Sequence, residues 1–197
     1  DLHDDLGAGL TEISLTSDLA TNPQLAEHES RQYTREIGAR ARELVQSMDE
    51  IVWAVNPRND SIASLSVYAC QYAQHLVKPL GIACRLDVQP GLPEIPLNAE
   101  QRYNFFLAFK ETINNVARHS QATELQLAIH TEGDHFCLII EDNGRGFEPG
   151  GELAGADGLR NIRERLRRLH GECEISSQTG RGTRVSLRVP LHPAPAA

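Results

Sequence analysis

This 197-residue chain lacks a surplus of positive charge, an apolar run of membrane-spanning length, any Cys-x-x-Cys pair and any internal repeat. With 19 Lys and Arg against 27 Asp and Glu, the formal net charge is -8. That balance argues against broad binding to nucleic acid or to an anionic membrane surface, so neither contact is expected of this fragment. The local basic cluster Arg160, Arg163, Arg165, Arg167 and Arg168 is too short for a duplex-binding face, though it suits a smaller anion. Cys70, Cys84, Cys137 and Cys173 are widely spaced and mostly stand among apolar neighbours, as reduced core cysteines do in a cytoplasmic compartment. With no signal peptide and Asp rather than Met at its start, the chain is expected to be the cytoplasmic part of a longer protein.

A hydrophobic fraction of 40% is ordinary for a globular protein, and the length allows one full domain plus a smaller helical piece. From Tyr33 onward, Ile37, Ala41, Leu44, Met48, Ile51 and Val55 alternate steps of four and three residues, which is the seam of a helix seeking a partner helix. Leu2, Leu6, Leu10 (or Gly9) and Ile13 repeat similarly, and Thr21-Asn22-Pro23 breaks the two helices into an antiparallel hairpin. One hairpin buries too little apolar surface by itself. Two copies would form a four-helix bundle, so a homodimer through residues 1–56 is expected.

Asn56-Pro57-Arg58-Asn59-Asp60 reads as a linker, with 57–60 as its turn. A second domain is then expected over 61–191, and 192–197 is expected to be a disordered tail. Its pattern predicts a helix over Ser61–Leu80, a strand near Ile82–Val88 and a long helix ending about His119. Alternation predicts strands at Leu125–Ile129, Leu138–Ile140 and Val185–Val189, with a helix over Leu159–Leu169 between. The fold class is therefore α+β: a two-helix hairpin followed by a two-layer α/β sandwich with clustered antiparallel strands.

Within the second domain, Glu111, Asn115 and His119 fall four residues apart and share one helix face. Either this is a solvated face ending in a histidine, or Asn115 offers its carbonyl oxygen to a magnesium ion that bridges nucleotide phosphates. Asp142-Asn143-Gly144-Arg145-Gly146 follows a strand. It reads either as a tight turn or as a base pocket, where the Asp142 carboxylate accepts from the exocyclic amine of adenine and Gly144 and Gly146 allow close backbone approach. The glycine-rich span Glu148–Ala156 has the length of a lid and ends at a helix start capped by Asp157, whose amides from Gly158, Leu159 and Arg160 could cradle phosphate. Thr183, in Gly180-Arg181-Gly182-Thr183, sits in a hairpin turn or bonds the base side of the pocket, directly or through water.

In order and spacing these pieces resemble the nucleotide-binding domain shared by histidine kinases, gyrase-type ATPases and mismatch-repair ATPases. Glu111–His119 resembles its asparagine box, Asp142–Gly146 its first glycine box and Gly155–Gly158 its second. Leu2-His3-Asp4-Asp5-Leu6-Gly7 and Met48–Pro57 look like the dimerisation and phosphoacceptor hairpin of bacterial sensor histidine kinases, in the subfamily serving response regulators with helix-turn-helix outputs. The resemblance implies ATP and Mg2+ as cofactors, His3 as phosphoacceptor, Asp4 as its general base or orienter, and a catalytic role for Glu111. It also implies onward transfer to an aspartate of a response regulator receiver domain. A rival reading is an ATP-driven dimerising clamp in which Glu111 activates water. Family members often carry glutamine five residues after the acceptor; here Ala8 stands there, which counts against phosphatase activity toward the partner. Gly7 and Gly9 each cost up to about 1 kcal/mol of helix propensity, so a frayed start to the first helix is expected.

Overall fold

The computed structural model describes residues 2–22, 26–56, 61–148 and 156–191. The linker 57–60, most of the expected lid and the expected tail at 192–197 lie outside the described residues. The chain divides into two units, Asp1–Trp53 and Ala54–Ala197.

The first unit is a helical hairpin of α1 (Leu2–Ala20) and α2 (Glu27–Val55). The Glu29 carboxylate accepts from the Ala26 amide at 2.9 Å and so caps the start of α2. Ser30 Oγ donates to the Ala20 carbonyl at 3.1 Å, and Arg40 pairs with Glu12 at 2.8 Å, tying the two helices together. α1 is already helical at Leu2, where its glycines lead one to expect fraying. Gly9 has a packing reason for lacking a side chain: a Cβ there would lie 2.6 Å from Leu44 Cδ2. The seam therefore runs through Gly9 rather than Leu10, which is 62% exposed.

The second unit opens on α3 (Ile62–Val77), whose N-terminus is capped by Ser61 accepting from the Ser64 amide at 3.2 Å. A single 3-10 turn, Lys78–Leu80, leads to β1 (Ala83–Val88). α4 (Ala99–Asn115) begins with a reciprocal capping box between Asn98 and Gln101 and runs on into a π turn, Val116–Ser120. Then follow β2 (Glu124–Glu132), β3 (His135–Asp142), α5 (Ala156–Arg168), β4 (Glu172–Ser177) and β5 (Thr183–Pro190).

The sheet order is β1-β2-β3-β5-β4. It is mixed rather than wholly antiparallel, because β1 runs parallel to β2 while the other pairs are antiparallel. Parallel neighbours need a crossover, and α4 with its π turn supplies it. The alternation read from the sequence fixes the faces. Leu125, Leu127 and Ile129 of β2 are fully buried, as are Leu138 and Leu187, so one face carries the core. Phe105, Phe106 and Phe109 of α4 fill it, with Phe105 and Phe136 rings 5.2 Å apart and Tyr68 against Phe106 at 4.9 Å. β4 is an element that the sequence pattern did not reveal. All four cysteines are free thiols; burial pushes Cys173 up to about 11 against the opposing charge of Arg163.

Candidate nucleotide site

The core layer opens into a cavity where α4, the π turn, α5 and the ends of β3 and β5 meet. Thr112, Asn115, Val116, His119, Ile140, Asp142, Phe147, Leu159, Ile162, Thr183 and Val185 line it, with Ser120, Arg145 and Gly146. Its volume is about 110 Å3, several times the roughly 10–15 Å3 that one ordered water needs. Its exposed surface is mostly apolar, while Asn115, His119, Asp142 and Thr183 add polar groups to the lining, the ordinary build of a small-molecule pocket.

Asp142 is the most informative polar group. It ends β3, is 5% exposed, and receives the Gly144 amide on Oδ1 at 2.8 Å. Burial pushes its carboxyl above the usual range, and hydrogen bonds from the Gly144 and Thr183 backbones pull the other way. A buried acceptor at the end of an apolar cavity calls for a ligand donor. Thr183 stands directly opposite Asp142 across the β3–β5 ladder, and both line the cavity.

The glycines are held by contacts within the protein. A Cβ on Gly144 would collide with the Ser120 carbonyl, and one on Gly146 with the Gln178 carbonyl. Gly146 and Gly182 also have φ of 57° and 79°, in the left-handed region that favours glycine. The Arg145 amide donates to Ser120 at 2.7 Å and the Gly180 amide to Arg145 at 2.6 Å. The loop after β3 is thus wedged between the π turn and the β4–β5 hairpin. Close backbone approach to a ligand, expected of both glycines, is open to Gly146 at the cavity wall; Gly144 is not part of the lining.

Asn143, which the sequence offered as a turn residue, accepts from the Thr123 and Glu124 amides at 2.9 and 3.0 Å and clamps the start of β2. At the other end of the cavity, Asn115 and His119 line the wall while Glu111 does not. Glu111 instead faces Gly158: a Cβ on Gly158 would overlap its carboxylate and come within 3.8 Å of Asn115 Nδ2. Glu111, Asn115 and Gly158 therefore form one cluster between α4 and α5. α5 starts at Ala156 rather than after Asp157. Arg160 and Arg163 are exposed and outside the lining. His3 and Asp4 belong to α1, and their side chains lie outside the described residues.

Several lining residues were not singled out by sequence: Thr112, Val116, Ser120, Ile140, Phe147, Ile162 and Val185. Their apolar members read as ordinary core positions. Proximity to the Asp142 turn is the one signal that could have marked Ile140 and Phe147. Outside the cavity, His130, Glu132 and Cys137 bring possible metal-ligand atoms within 4.8 Å of one another, but Arg188 lies close enough to Cys137 to oppose a cation there.

Residues 101–193 match the family of histidine kinase-, DNA gyrase B-, and HSP90-like ATPases. The sensor histidine kinase YdfH of Bacillus subtilis is 26% identical over 97% of this chain and 47% of its own length. The signal transduction histidine-protein kinase/phosphatase UhpB of Salmonella typhimurium is 27% identical over 96% of this chain and 37% of its own length. The chain thus spans half or less of the length of these curated relatives. Among solved structures, the histidine kinase domain of the Erythrobacter litoralis EL346 blue-light activated histidine kinase superposes with a TM-score of 0.60 at 20% identity, covering 95% of this chain and 96% of that one. The Acinetobacter baumannii histidine kinase AdeS gives 0.58 at 14% identity, covering 96% and 98%. At such identities the structural likeness speaks for the fold.

Residues 101–193 thus resemble the ATPases of the histidine kinase and gyrase class, and the sandwich has the α+β fold of solved histidine kinase domains. The similarity to YdfH and UhpB covers 97% and 96% of this chain, so it extends beyond the sandwich through the hairpin. The clamp reading is not favoured. Among the described residues no helix is long and apolar enough to cross a membrane.

Proposed function

We propose that this core binds Mg-ATP in the cavity, phosphorylates its own His3 and passes the phosphoryl group to an aspartate of a response regulator, one of the kind with a helix-turn-helix output. The observation that carries the proposal is the buried Asp142 carboxylate at the end of an apolar cavity, within a segment matching an ATPase family. Adenine fits that arrangement: its faces meet Ile140, Leu159, Ile162 and Val185, and its exocyclic amine supplies the donor that Asp142 calls for. A carbonyl in the same place would oppose two lone-pair-bearing groups and leave a buried charge unpaired.

The Glu111, Asn115 and Gly158 cluster supplies hard oxygen donors and a gap without a side chain, which suits a magnesium ion and a phosphate chain. Magnesium held there by Asn115 would neutralise phosphate charge. His119, at the cavity wall, and the amides at Gly158 and Leu159 would bind the phosphates. In the transfer, the lone pair of a neutral His3 ring nitrogen attacks the γ-phosphorus. The bond to the bridging oxygen breaks and ADP leaves with that electron pair. Asp4 orients the ring and accepts the proton released from its other nitrogen, while Glu111 contributes to positioning.

A homodimer through the hairpin is part of the proposal. Leu15 and Leu19 on α1, and Val45 and Met48 on α2, are each more than half exposed in the single chain. Each pair lies on one helix stripe, and apolar stripes of this kind are what a second hairpin would cover. The site of action is proposed to be the cytoplasm.

Incubation with magnesium and γ-labelled ATP tests the function. An acid-labile, base-stable label on the protein that disappears in His3→Ala is the expected result. Free phosphate with no protein label would instead fit an ATPase, and neither product would fit a binding module. A chain extended at its N-terminus serves as the control.

A further inference from the structure

Asp142, Thr183 and Ser177 form a row across three strands. Thr183 is the register partner of Asp142 on β3 and of Ser177 on β4, so the three side chains share the face that floors the cavity. Ser177 itself does not touch the cavity. It is nevertheless the hub of the row: its Oγ accepts the Phe147 amide at 2.9 Å, donates to the Gly182 carbonyl at 3.1 Å and meets Thr183 Oγ1 at 3.0 Å.

A serine hydroxyl has one hydrogen and two lone pairs. The Gly182 carbonyl can only accept, so the Ser177 hydrogen is committed to it. The contact with Thr183 must then use the hydrogen of Thr183, and one Ser177 lone pair receives it while the other receives the Phe147 amide. Every bonding capacity of Ser177 is filled. Whatever part of the Thr183 hydroxyl faces the cavity is then a lone pair, not a hydrogen. Its neighbour Asp142, when ionised, is likewise an acceptor only.

We propose that Ser177 is a positioning residue that sets the hydrogen-bond polarity of the cavity floor, holding Thr183 as an acceptor beside Asp142 so that the site selects an amine-bearing purine over a carbonyl-bearing one. The proposal rests on the nucleotide reading of the cavity and deepens it. Direct recognition by Asp142 explains why an amine binds. The Ser177 relay explains why Thr183 cannot rotate its hydrogen to welcome a carbonyl.

ADP and inosine diphosphate are the probes, since inosine carries a carbonyl where adenosine carries the amine, and calorimetry gives both affinities. In Ser177→Ala the Thr183 hydrogen is released to the cavity. ADP affinity is expected to fall about 3- to 10-fold, the ordinary consequence of losing a hydrogen-bond partner, and the preference for ADP over inosine diphosphate to shrink by a similar factor. Ser177→Thr, which retains the hydroxyl, is expected to restore both. In a Thr183→Val background, Ser177→Ala is expected to leave the preference unchanged, because the hydroxyl it controls is gone. Ser177→Cys, close in volume and a weaker hydrogen-bonding group, gives the same comparison if the alanine variant does not fold.

An equal loss for both nucleotides would assign Ser177 a structural role and overturn the proposal. So would an unchanged preference in Ser177→Ala, or a preference that still shifts when Thr183 is valine. A wild-type chain that binds neither nucleotide would overturn the nucleotide reading itself, an outcome distinct from wild-type ADP binding that is indifferent to Ser177.

Discussion

The hairpin and the sandwich contrast in how much of their own apolar surface they cover. In the sandwich the large side chains Phe105, Phe106, Phe109, Phe136, Leu125, Leu127 and Leu138 are fully enclosed by a sheet and its helices. In the hairpin the leucines and valine at 10, 15, 19 and 45 remain more than half exposed. One unit is complete within a single chain, whereas the other has apolar stripes left over after its two helices have met. Assembly should therefore be carried by the hairpin, and ligand recognition by the self-contained unit.

The largest effect expected is on assembly. Charges at Leu15→Glu and Val45→Glu would have to be desolvated in a paired hairpin, at several kcal/mol each. The double variant should run as a monomer in sedimentation equilibrium while keeping its affinity for ADP. Loss of ADP binding alongside the monomer would show that the two units are not separable in this way.

Next comes a backbone test confined to the sandwich. Gly182 has a φ of 79°, and a Cβ there would strike the carbonyl of Asp142. Gly182→Val combines left-handed strain with a backbone collision, and is expected to cost about 3 kcal/mol or more in denaturant unfolding. Gly180 has a similar φ of 78° but no atom within 4 Å, so Gly180→Ala should cost less, nearer 1 kcal/mol. Equal losses at the two positions would remove the collision from the explanation.

Asp142→Asn addresses recognition. It exchanges a pure acceptor for an amide that must donate from one side, and ADP should bind about 10- to 100-fold more weakly, with little change in the fold. The acid dependence has a definite sign. Burial raises the Asp142 pKa above its unfolded value, so the folded state holds the proton more tightly and the ionised group weakens the fold above that pKa. The unfavourable contribution falls away as pH drops through the folded value toward the unfolded one. ADP affinity should run the other way, falling as Asp142 is protonated, and this fall should be absent in Asp142→Asn. An equal acid loss in both proteins would place the titration elsewhere.

The parts of this site that sequence made legible are those with unusual chemistry for their position. Asp142 and its glycines stand out after an apolar strand, and Asn115 and His119 are polar residues at the end of a helix of phenylalanines and in the π turn that continues it. Ile140, Ile162 and Val185 do not stand out, because a cavity wall and a packed core require the same aliphatic side chains. β4 was missed because Cys173, Ile175 and Ser177 alternate with polar residues at a sheet edge, a weak pattern, and with it went Ser177. The parallel sense of β1 has no local signal at all, since pairing direction depends on a crossover of some thirty-five residues between Val88 and Glu124.

The smallest expected effect separates two glycines that look alike in sequence. Both Gly7 and Gly9 lie inside α1, where propensity alone favours replacing either with alanine by about 0.5–1 kcal/mol. The structure distinguishes them. Gly7 has nothing within 4 Å of a Cβ, while a Cβ at Gly9 meets the Leu44 side chain at 2.6 and 3.2 Å. Gly7→Ala should therefore stabilise the hairpin by the propensity amount, read as a small rise in the denaturant midpoint. Gly9→Ala must move Leu44 and should forfeit most of that gain, and Gly9→Leu should destabilise outright through overpacking. If both alanines stabilised equally, the close approach at Gly9 would not be what holds α1 against α2, and the hairpin would be less specifically packed than the sandwich in a second respect.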